Sequence, residues 1–247
     1  MIDENSSALL VDLGGSVVEF SSSDPEALRQ MRSRFAGFEV PSGRPEISFV
    51  HQPIQSNQEI GQEEGSFSTR IDLKNRKVYL FGDEGIDHVD GVLRVVLAAI
   101  AAPDLITHAA LLVDGDRGFL CCGKPGAGKS TIAGLFPEYR ACDELARVSV
   151  TPEGVQVKSL PYWEARPVNV SLESIFFLRH GTHNRRTRLS LSESMRELRR
   201  HLYWPLDEEE AAVKAFSTLS EVVGRVPFYW LDFLPDRRVW ETLLGNF

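Results

Sequence analysis

The chain has 247 residues, enough for one large domain or two modest ones with a real core. Its formal charge of −8 at pH 7 argues against a broad nucleic-acid surface or an anionic membrane as the main partner and leaves room only for a local basic patch. The 43% hydrophobic and 25% charged fractions are those of a soluble globular protein, and three cysteines without framework spacing (Cys121, Cys122 and Cys142) point to reduced thiols in a cytoplasmic setting.

The opening Met-Ile-Asp-Glu-Asn is acidic, unlike the basic start of a secretory signal. Ala8–Leu13 and Ser16–Phe20 read as two short strands around Gly14-Gly15. Ser23-Asp24-Pro25-Glu26 starts a helix that runs to about Phe35. Glu46–His51 is a strand, residues 52–66 form a long polar loop, and Phe67–Leu73 with Lys77–Phe81 makes a hairpin across Lys74-Asn75. The apolar run from Val92 to Pro103, interrupted by Arg94, is too short to span a bilayer and predicts a core helix over Val89–Ala102. Residues 1–102 thus form a β-rich module with one or two helices, and 103–247 a second domain.

In the second part, His108–Val113 and Gly118–Cys122 are strands joined by Asp114-Gly115-Asp116. A short helix follows residue 129 and is ended by Pro137. Tyr139–Cys142 is a strand that closes on Asp143-Glu144, and Val148–Thr151 with Val155–Lys158 flanks the turn Pro152-Glu153-Gly154. Ser174–Leu178 is a buried strand. Ser190 with Glu193 forms a capping box for a helix to about Leu202. Glu208–Val223 is a helix stopped by Gly224, Pro227–Phe233 a strand, and Pro235–Leu244 a final helix. Strand-helix alternation mixed with hairpins predicts an α/β chain with a mixed, α+β sheet rather than a purely parallel one.

Gly123-Lys124-Pro125-Gly126-Ala127-Gly128-Lys129-Ser130-Thr131 fits the pattern G-x-x-x-x-G-K-[ST], set between a buried strand and a helix. A triphosphate packs several negative charges into a small volume. Glycines let successive backbone N–H groups turn toward such oxygens, and the following helix start adds partial positive charge. Lys129 can reach the β- and γ-phosphates, and the Ser130 hydroxyl can ligate Mg²⁺. Residues 123–131 are therefore the candidate binding loop for ATP or another nucleoside triphosphate.

Asp143-Glu144 lies at a strand end, where sites in α/β sheets gather. A carboxylate there can hold Mg²⁺, directly or through water, or accept a proton from an attacking hydroxyl. Ser130 and Asp143 are the candidate metal ligands. His108 heads the strand before the loop strand, as a core histidine or a catalytic one. Arg179, Arg185, Arg186 and Arg188 surround His180-Gly-Thr-His183 as a solvated hairpin tip or as contacts for a base, a phosphate or an acidic substrate. His180 and His183 lack the spaced partners of a metal site.

His108-Ala-Ala-Leu-Leu-Val-Asp114, Phe119-Leu-Cys-Cys122, the glycine loop and Cys142-Asp143-Glu144 together resemble the core of the HPr kinase/phosphorylase family and its smaller kinase-like relatives. Val226-Pro-Phe-Tyr-Trp-Leu-Asp-Phe-Leu-Pro-Asp236 is similar to the C-termini of those relatives, some of which are tailoring kinases associated with modified peptides. The resemblance covers residues 105–160 best. It implies a P-loop kinase core with a phosphoenolpyruvate carboxykinase-like fold. It also implies His108 beside the transferring phosphoryl group, Lys129 and Ser130 on the phosphates and Mg²⁺, and Asp143 as metal-linked group or general base. Glu144 shares those duties. The chain departs from the family in having Glu144 where an Asp is usual, and in reading Leu-Pro-Tyr-Trp-Glu-Ala-Arg-Pro over 160–167 where a glycine-rich signature is usual.

The expectation is an ATP- and Mg²⁺-dependent kinase that phosphorylates a hydroxyl, a serine of a protein or peptide, with catalytic residues His108, Lys129, Asp143 and Glu144. The N-terminal module would help recognise that acceptor, with no nucleic-acid or membrane partner and with a homo-oligomer left open. The alternative is a nucleotide-binding sensor with little or no phosphotransfer. An ABC-type ATPase lacks its Leu-Ser-Gly-Gly-Gln segment here, and a GTPase its Asn-Lys-x-Asp segment.

Overall fold

The computed structural model describes residues 7–53, 69–82, 85–162, 165–205 and 209–245, with the backbone alone at 85–88. The chain divides into two compact units, Met1–Val96 and Leu97–Phe247. Each holds a mixed sheet, and the described residues form six α-helices in all.

In the first unit, β1 (Ala8–Asp12), β2 (Val17–Ser22), β3 (Ile47–Gln52), β4 (Thr69–Asp72) and β5 (Lys77–Phe81) make a sheet of order β1-β2-β3-β5-β4. The β1–β2 and β4–β5 pairs are antiparallel, and β2–β3–β5 are parallel. α1 (Pro25–Arg34) supplies the crossover from β2 to β3. Asp24 caps it by accepting from the Glu26 N–H at 2.9 Å. Burial alternates along β1, β2, β3 and β5, so one face of the sheet is apolar. Phe20 anchors that face, with ring centroids 4.7 Å from Phe35 and 4.9 Å from Phe49. His51 is a satisfied core histidine, with Nδ1 2.8 Å from the Ser22 hydroxyl and Nε2 2.9 Å from the Gly82 carbonyl. The polar loop read over 52–66 lies outside the described residues from residue 54 onward, as does Phe67 of the predicted hairpin. α2 (Gly85–Ile100) carries the apolar run, and the boundary between the units falls within it. Among the described residues no helix is long and apolar enough to cross a membrane.

The second unit holds β6 (Leu105–Asp114), β7 (Arg117–Cys122), α3 (Lys129–Leu135), β8 (Arg140–Cys142), β9 (Leu145–Thr151) and β10 (Gly154–Ser159). They are followed by β11 (Asn169–His180), β12 (Arg185–Arg188), α4 (Leu191–Leu198), β13 (Leu202–Tyr203), α5 (Glu209–Arg225), β14 (Phe228–Phe233) and α6 (Val239–Leu244). The sheet runs β10-β9-β6-β7-β11-β14-β12, and β10 also pairs with β11. The strands β10, β9, β6, β7 and β11 therefore close into a ring. Gly118 of β7 leaves no room for a side chain. A Cβ there would stand 2.6 Å from Val157 Cγ1 and 3.1 Å from Val170 Cγ2.

Two apolar layers cover the sheet. Ala109, Leu111, Leu120, Cys122, Ile175 and Phe177 share a core with Leu198 of α4 and Leu219 and Val222 of α5. Ala110, Leu112, Phe119, Cys121, Phe176 and Leu178 share another with Ile132 of α3 and Val239 and Leu243 of α6. Neighbours in sequence thus go to opposite cores, as the two-residue strand period requires.

Four sequence expectations need correction here. Arg185–Arg188 is no hairpin tip: it is a strand that pairs antiparallel with β14, while β14 itself runs parallel to β11. The charge pattern hid it because it is an edge strand, where charged side chains are favoured. The capping-box helix ends at Leu198, continues as a 3-10 turn over Arg199–His201, and passes into β13 at Leu202. Gly224 does not stop α5, which runs on to Arg225. The last helix starts at Val239 rather than Pro235.

Gly118→Ala is expected to lower the stability of this unit by about 1–3 kcal/mol, the usual cost of an extra methyl in a packed core. Urea denaturation followed by tryptophan fluorescence measures it.

Candidate functional site

β7, β11 and β14 are parallel, so their C-terminal ends lie along one edge of the sheet. The glycine loop leaves β7 at that edge, His180-Gly181 leaves β11, and Phe233-Leu234 leaves β14. Gly126 (φ 80°) and Gly128 (φ 104°) take left-handed backbone that an L side chain resists. At Gly128 a Cβ would also come within 2.6 Å of Phe233 Cζ, whereas at Gly126 nothing lies within 4 Å of that position. The loop is thus packed on one side and open on the other. His180 ties it to β11, with Nε2 2.8 Å from the Gly126 carbonyl oxygen.

Lys129 is the buried cation of the loop. Its side chain folds back so that Nζ–H donates to the Gly123 carbonyl at 3.0 Å. Lys124, Pro125, Ser130 and Thr131 are exposed along the same loop.

His108 immediately precedes Ala109, whose strand partner is Cys122, and Gly123 immediately follows Cys122. The β6–β7 register therefore sets His108 beside the residue that holds Lys129. On its other side β6 pairs with β8 and then β9, and Asp143-Glu144 is the break between them. The Ala109 N–H donates to the Glu144 carbonyl at 3.1 Å, which keeps the break beside β6. Glu144 Oε2 stands 2.8 Å from His108 Nε2, and both side chains are half-buried. Asp143 is half-buried in the same break. His108, Lys129, Glu144 and Asp143, separated in sequence, thus gather at one edge.

Sequence reasoning missed His201. β7 stops pairing with β6 at Ala109 because the chain turns into the loop. The edge of β6 over Ile106 and Thr107 is taken instead by β13, with Leu202 opposite Thr107 and Tyr203 opposite Ile106. The Thr107 hydroxyl donates to the His201 carbonyl at 3.2 Å. The His201 ring stacks on Phe177 with centroids 5.5 Å apart, and the Tyr203 ring lies 6.3 Å from His108. Burial first, then the Lys129 ammonium and the His108 ring, push the His201 pKa down to about 4, against a smaller opposing pull from Glu197. His201 is therefore a neutral imidazole at pH 7. No motif in the sequence marks it, since a two-residue strand carries no periodic signal.

The cysteines are structural. All three are buried, and desolvation raises their thiols, Cys122 and Cys142 to about 12. Of the arginine group, Arg179 lies over the Trp230 ring at 3.4 Å, and Arg186 and Arg188 lie over Tyr229 at 4.8 and 5.2 Å. These contacts assign much of the cluster to packing along β14.

The donor set suits a hard cation. Ser130 presents an exposed hydroxyl and Asp143 a half-buried carboxylate, both oxygen ligands of the kind Mg²⁺ prefers. Among the described residues no group of three or more His, Cys, Asp and Glu side chains is gathered to hold a metal by itself. Such sites complete their coordination with water and phosphate oxygens. Compared with models of known protein families, the chain matches none, and no curated protein matches it.

A histidine whose pKa is lower in the folded than in the unfolded chain costs stability in acid. The unfolded chain takes up its proton below pH 6.5 while the folded one resists until about 4. Stability from this group is thus full above pH 6.5 and falls as the pH drops toward 4. His201→Gln is expected to reduce the loss of stability between those pH values by about 1–2 kcal/mol, allowing for solvent screening. Urea titrations of both proteins across that range read the difference.

Proposed function

We propose that this protein is a nucleoside-triphosphate-dependent kinase that transfers a phosphoryl group, with ATP the leading donor, to a hydroxyl of a protein or peptide. The reading rests on one observation above all. The buried Lys129 ammonium is held on the Gly123 carbonyl immediately beside the His108–Glu144 pair, at the edge where three parallel strands end. A glycine turn between a strand and a helix has no need of a buried lysine, and burying an ammonium is unfavourable without a compensating role. The P-loop core, the resemblance to HPr kinase-like proteins and a serine as acceptor belong to the same proposal.

In this reading, the N–H groups of residues 123–131 bind the phosphate oxygens. Ser130 and Asp143 would hold Mg²⁺, which when bound neutralises phosphate charge. Lys129 leaves the Gly123 carbonyl for the β- and γ-phosphates and offsets charge that develops on their oxygens. Asp143 takes the proton of the acceptor hydroxyl as that oxygen bonds to the γ-phosphorus and the bond to the β-phosphate oxygen breaks. The nucleoside diphosphate leaves with that electron pair. His108 fixes the rotamer of Glu144, so the second carboxylate stays beside the reacting groups rather than sweeping through solvent. His201, neutral, adds no further positive charge near Lys129.

The test uses ATP labelled on the γ-phosphate and a mixture of serine-, threonine- and tyrosine-centred peptides. Label should pass to a peptide hydroxyl. Asp143→Asn is expected to slow transfer, measured at saturating nucleotide, by about 100-fold or more. Lys129→Ala should weaken a fluorescent ATP analogue by at least about tenfold. Tight nucleotide binding with no transfer to any hydroxyl would favour the sensor instead, and no nucleotide binding would refute both.

A further inference from the structure

The face of the second unit that carries α5 has an open cavity of about 690 Å³. One wall is a stripe of α5: Glu209, Ala212, Val213 and Phe216, spaced as one helical face. The other wall is Arg199, Arg200 and Trp204. α5 buries a different stripe, Ala215, Leu219, Val222 and Val223, in the core of the unit. The second stripe is left in solvent: Val213 is 64% exposed and Phe216 50%. Large apolar side chains gathered in a groove and left open mark an interaction surface, and aromatic and arginine side chains are the residues that carry binding there.

The charges on the two walls differ. Glu197 alone meets both Arg196, at 3.3 Å, and Arg200, at 3.2 Å. Arg199 has no carboxylate partner among the described residues. The Arg199 wall is therefore a basic strip in a chain of net charge −8, while Glu209 faces it from α5. An occupant is attracted there by acidic groups against Arg199 and Arg200 and by apolar groups against Val213, Phe216 and Trp204. The wall is also held in place, because the Trp204 indole N–H donates to the Arg199 carbonyl at 3.1 Å.

This wall is continuous with the candidate site. Arg199 and Arg200 directly precede His201, which is stacked on Phe177, and Trp204 directly follows Tyr203, which lies beside His108. We propose that the groove docks the acceptor: a peptide segment in which acidic residues flank an aliphatic or aromatic anchor, bound so that its hydroxyl reaches the edge carrying Asp143. The inference rests on the kinase reading for the fate of the hydroxyl, but the docking can be measured without any transfer.

The probe is a short fluorescein-labelled peptide in which Glu alternates with Leu around one Ser, with a second peptide carrying Lys for Glu. Binding is read by anisotropy in the absence of nucleotide. The acidic peptide should bind, more weakly as salt is raised, and the basic peptide should not. Arg199→Glu and Phe216→Asp should each weaken it by about tenfold or more, with the circular dichroism spectrum and the affinity for a fluorescent ATP analogue unchanged. Equal binding of the two peptides, or unaltered affinity in both variants, overturns the proposal. So does light scattering that shows a dimer of the protein lost in Phe216→Asp, which would assign the groove to a second copy of the chain. Failure of label transfer with the acidic peptide still bound refutes the kinase reading and leaves the groove intact.

Discussion

A buried ammonium sets the terms for the second unit. Lys129 loses most of its water, and a cation in that position needs oxygen partners. The loop provides one, the Gly123 carbonyl, and can do so only because its backbone curls back on itself through the left-handed Gly126 and Gly128. That curl is fixed from outside. Phe233, arriving from the end of β14, occupies the space where a Cβ on Gly128 would go, and His180, arriving from the end of β11, reaches the Gly126 carbonyl. Both residues come to the loop because β7, β11 and β14 are parallel and end together. The position of one charge thus depends on the direction of three strands.

The strand-loop-helix around residues 123–131 was legible because it combines a local pattern with local chemistry. A run of buried residues, glycines at fixed spacing and a lysine and serine at the helix start all lie within a few turns of chain. His108 and Glu144 were legible as candidates for the same reason, each at the end of an apolar run. Their contact was not, since it depends on the register of β6 against a strand interrupted at Asp143-Glu144. β11 shows the same limit. Its buried half reads as a strand over Ser174–Leu178, whereas Asn169–Glu173, where polar residues alternate with Val170 and Leu172, has no element assigned from the sequence. β10 comes round to pair with that half and closes the ring, a long-range event that the short alternation alone does not specify.

His201 and β13 are the instructive omission. A two-residue strand forms where an edge of β6 would otherwise have backbone groups without partners, once β7 has turned away into the loop. The need arises from the loop itself, so departure of the chain at Gly123 creates the vacancy that brings His201 in. The incoming segment is held by its pairing with β6 and by the Thr107 hydroxyl on the His201 carbonyl, while the capping box at Ser190, whose Glu193 side chain accepts from the Ser190 N–H at 2.9 Å, sets where α4 begins. The helix start was readable, but its early end at Leu198 was not. Leu202 falls four residues after Leu198 and so extends the helical pattern, but pairing with the edge of β6 makes Leu202–Tyr203 a strand.

This arrangement also explains how several groups that can carry positive charge coexist at one edge. Lys129, His108 and His201 lie close enough for the first two to depress the third, and three cations together would repel one another strongly. Stacking on Phe177 buries the His201 ring and keeps it neutral, while Glu144 stands against His108. The edge is thus balanced: one fixed cation, one histidine paired with a carboxylate, and one imidazole held uncharged by burial. The short segment that holds His201 also carries Arg199 and Trp204 on the wall of the open groove. One short segment therefore borders both the edge around Lys129 and the open groove. That is the geometry required if the two sites are to act on a single bound segment.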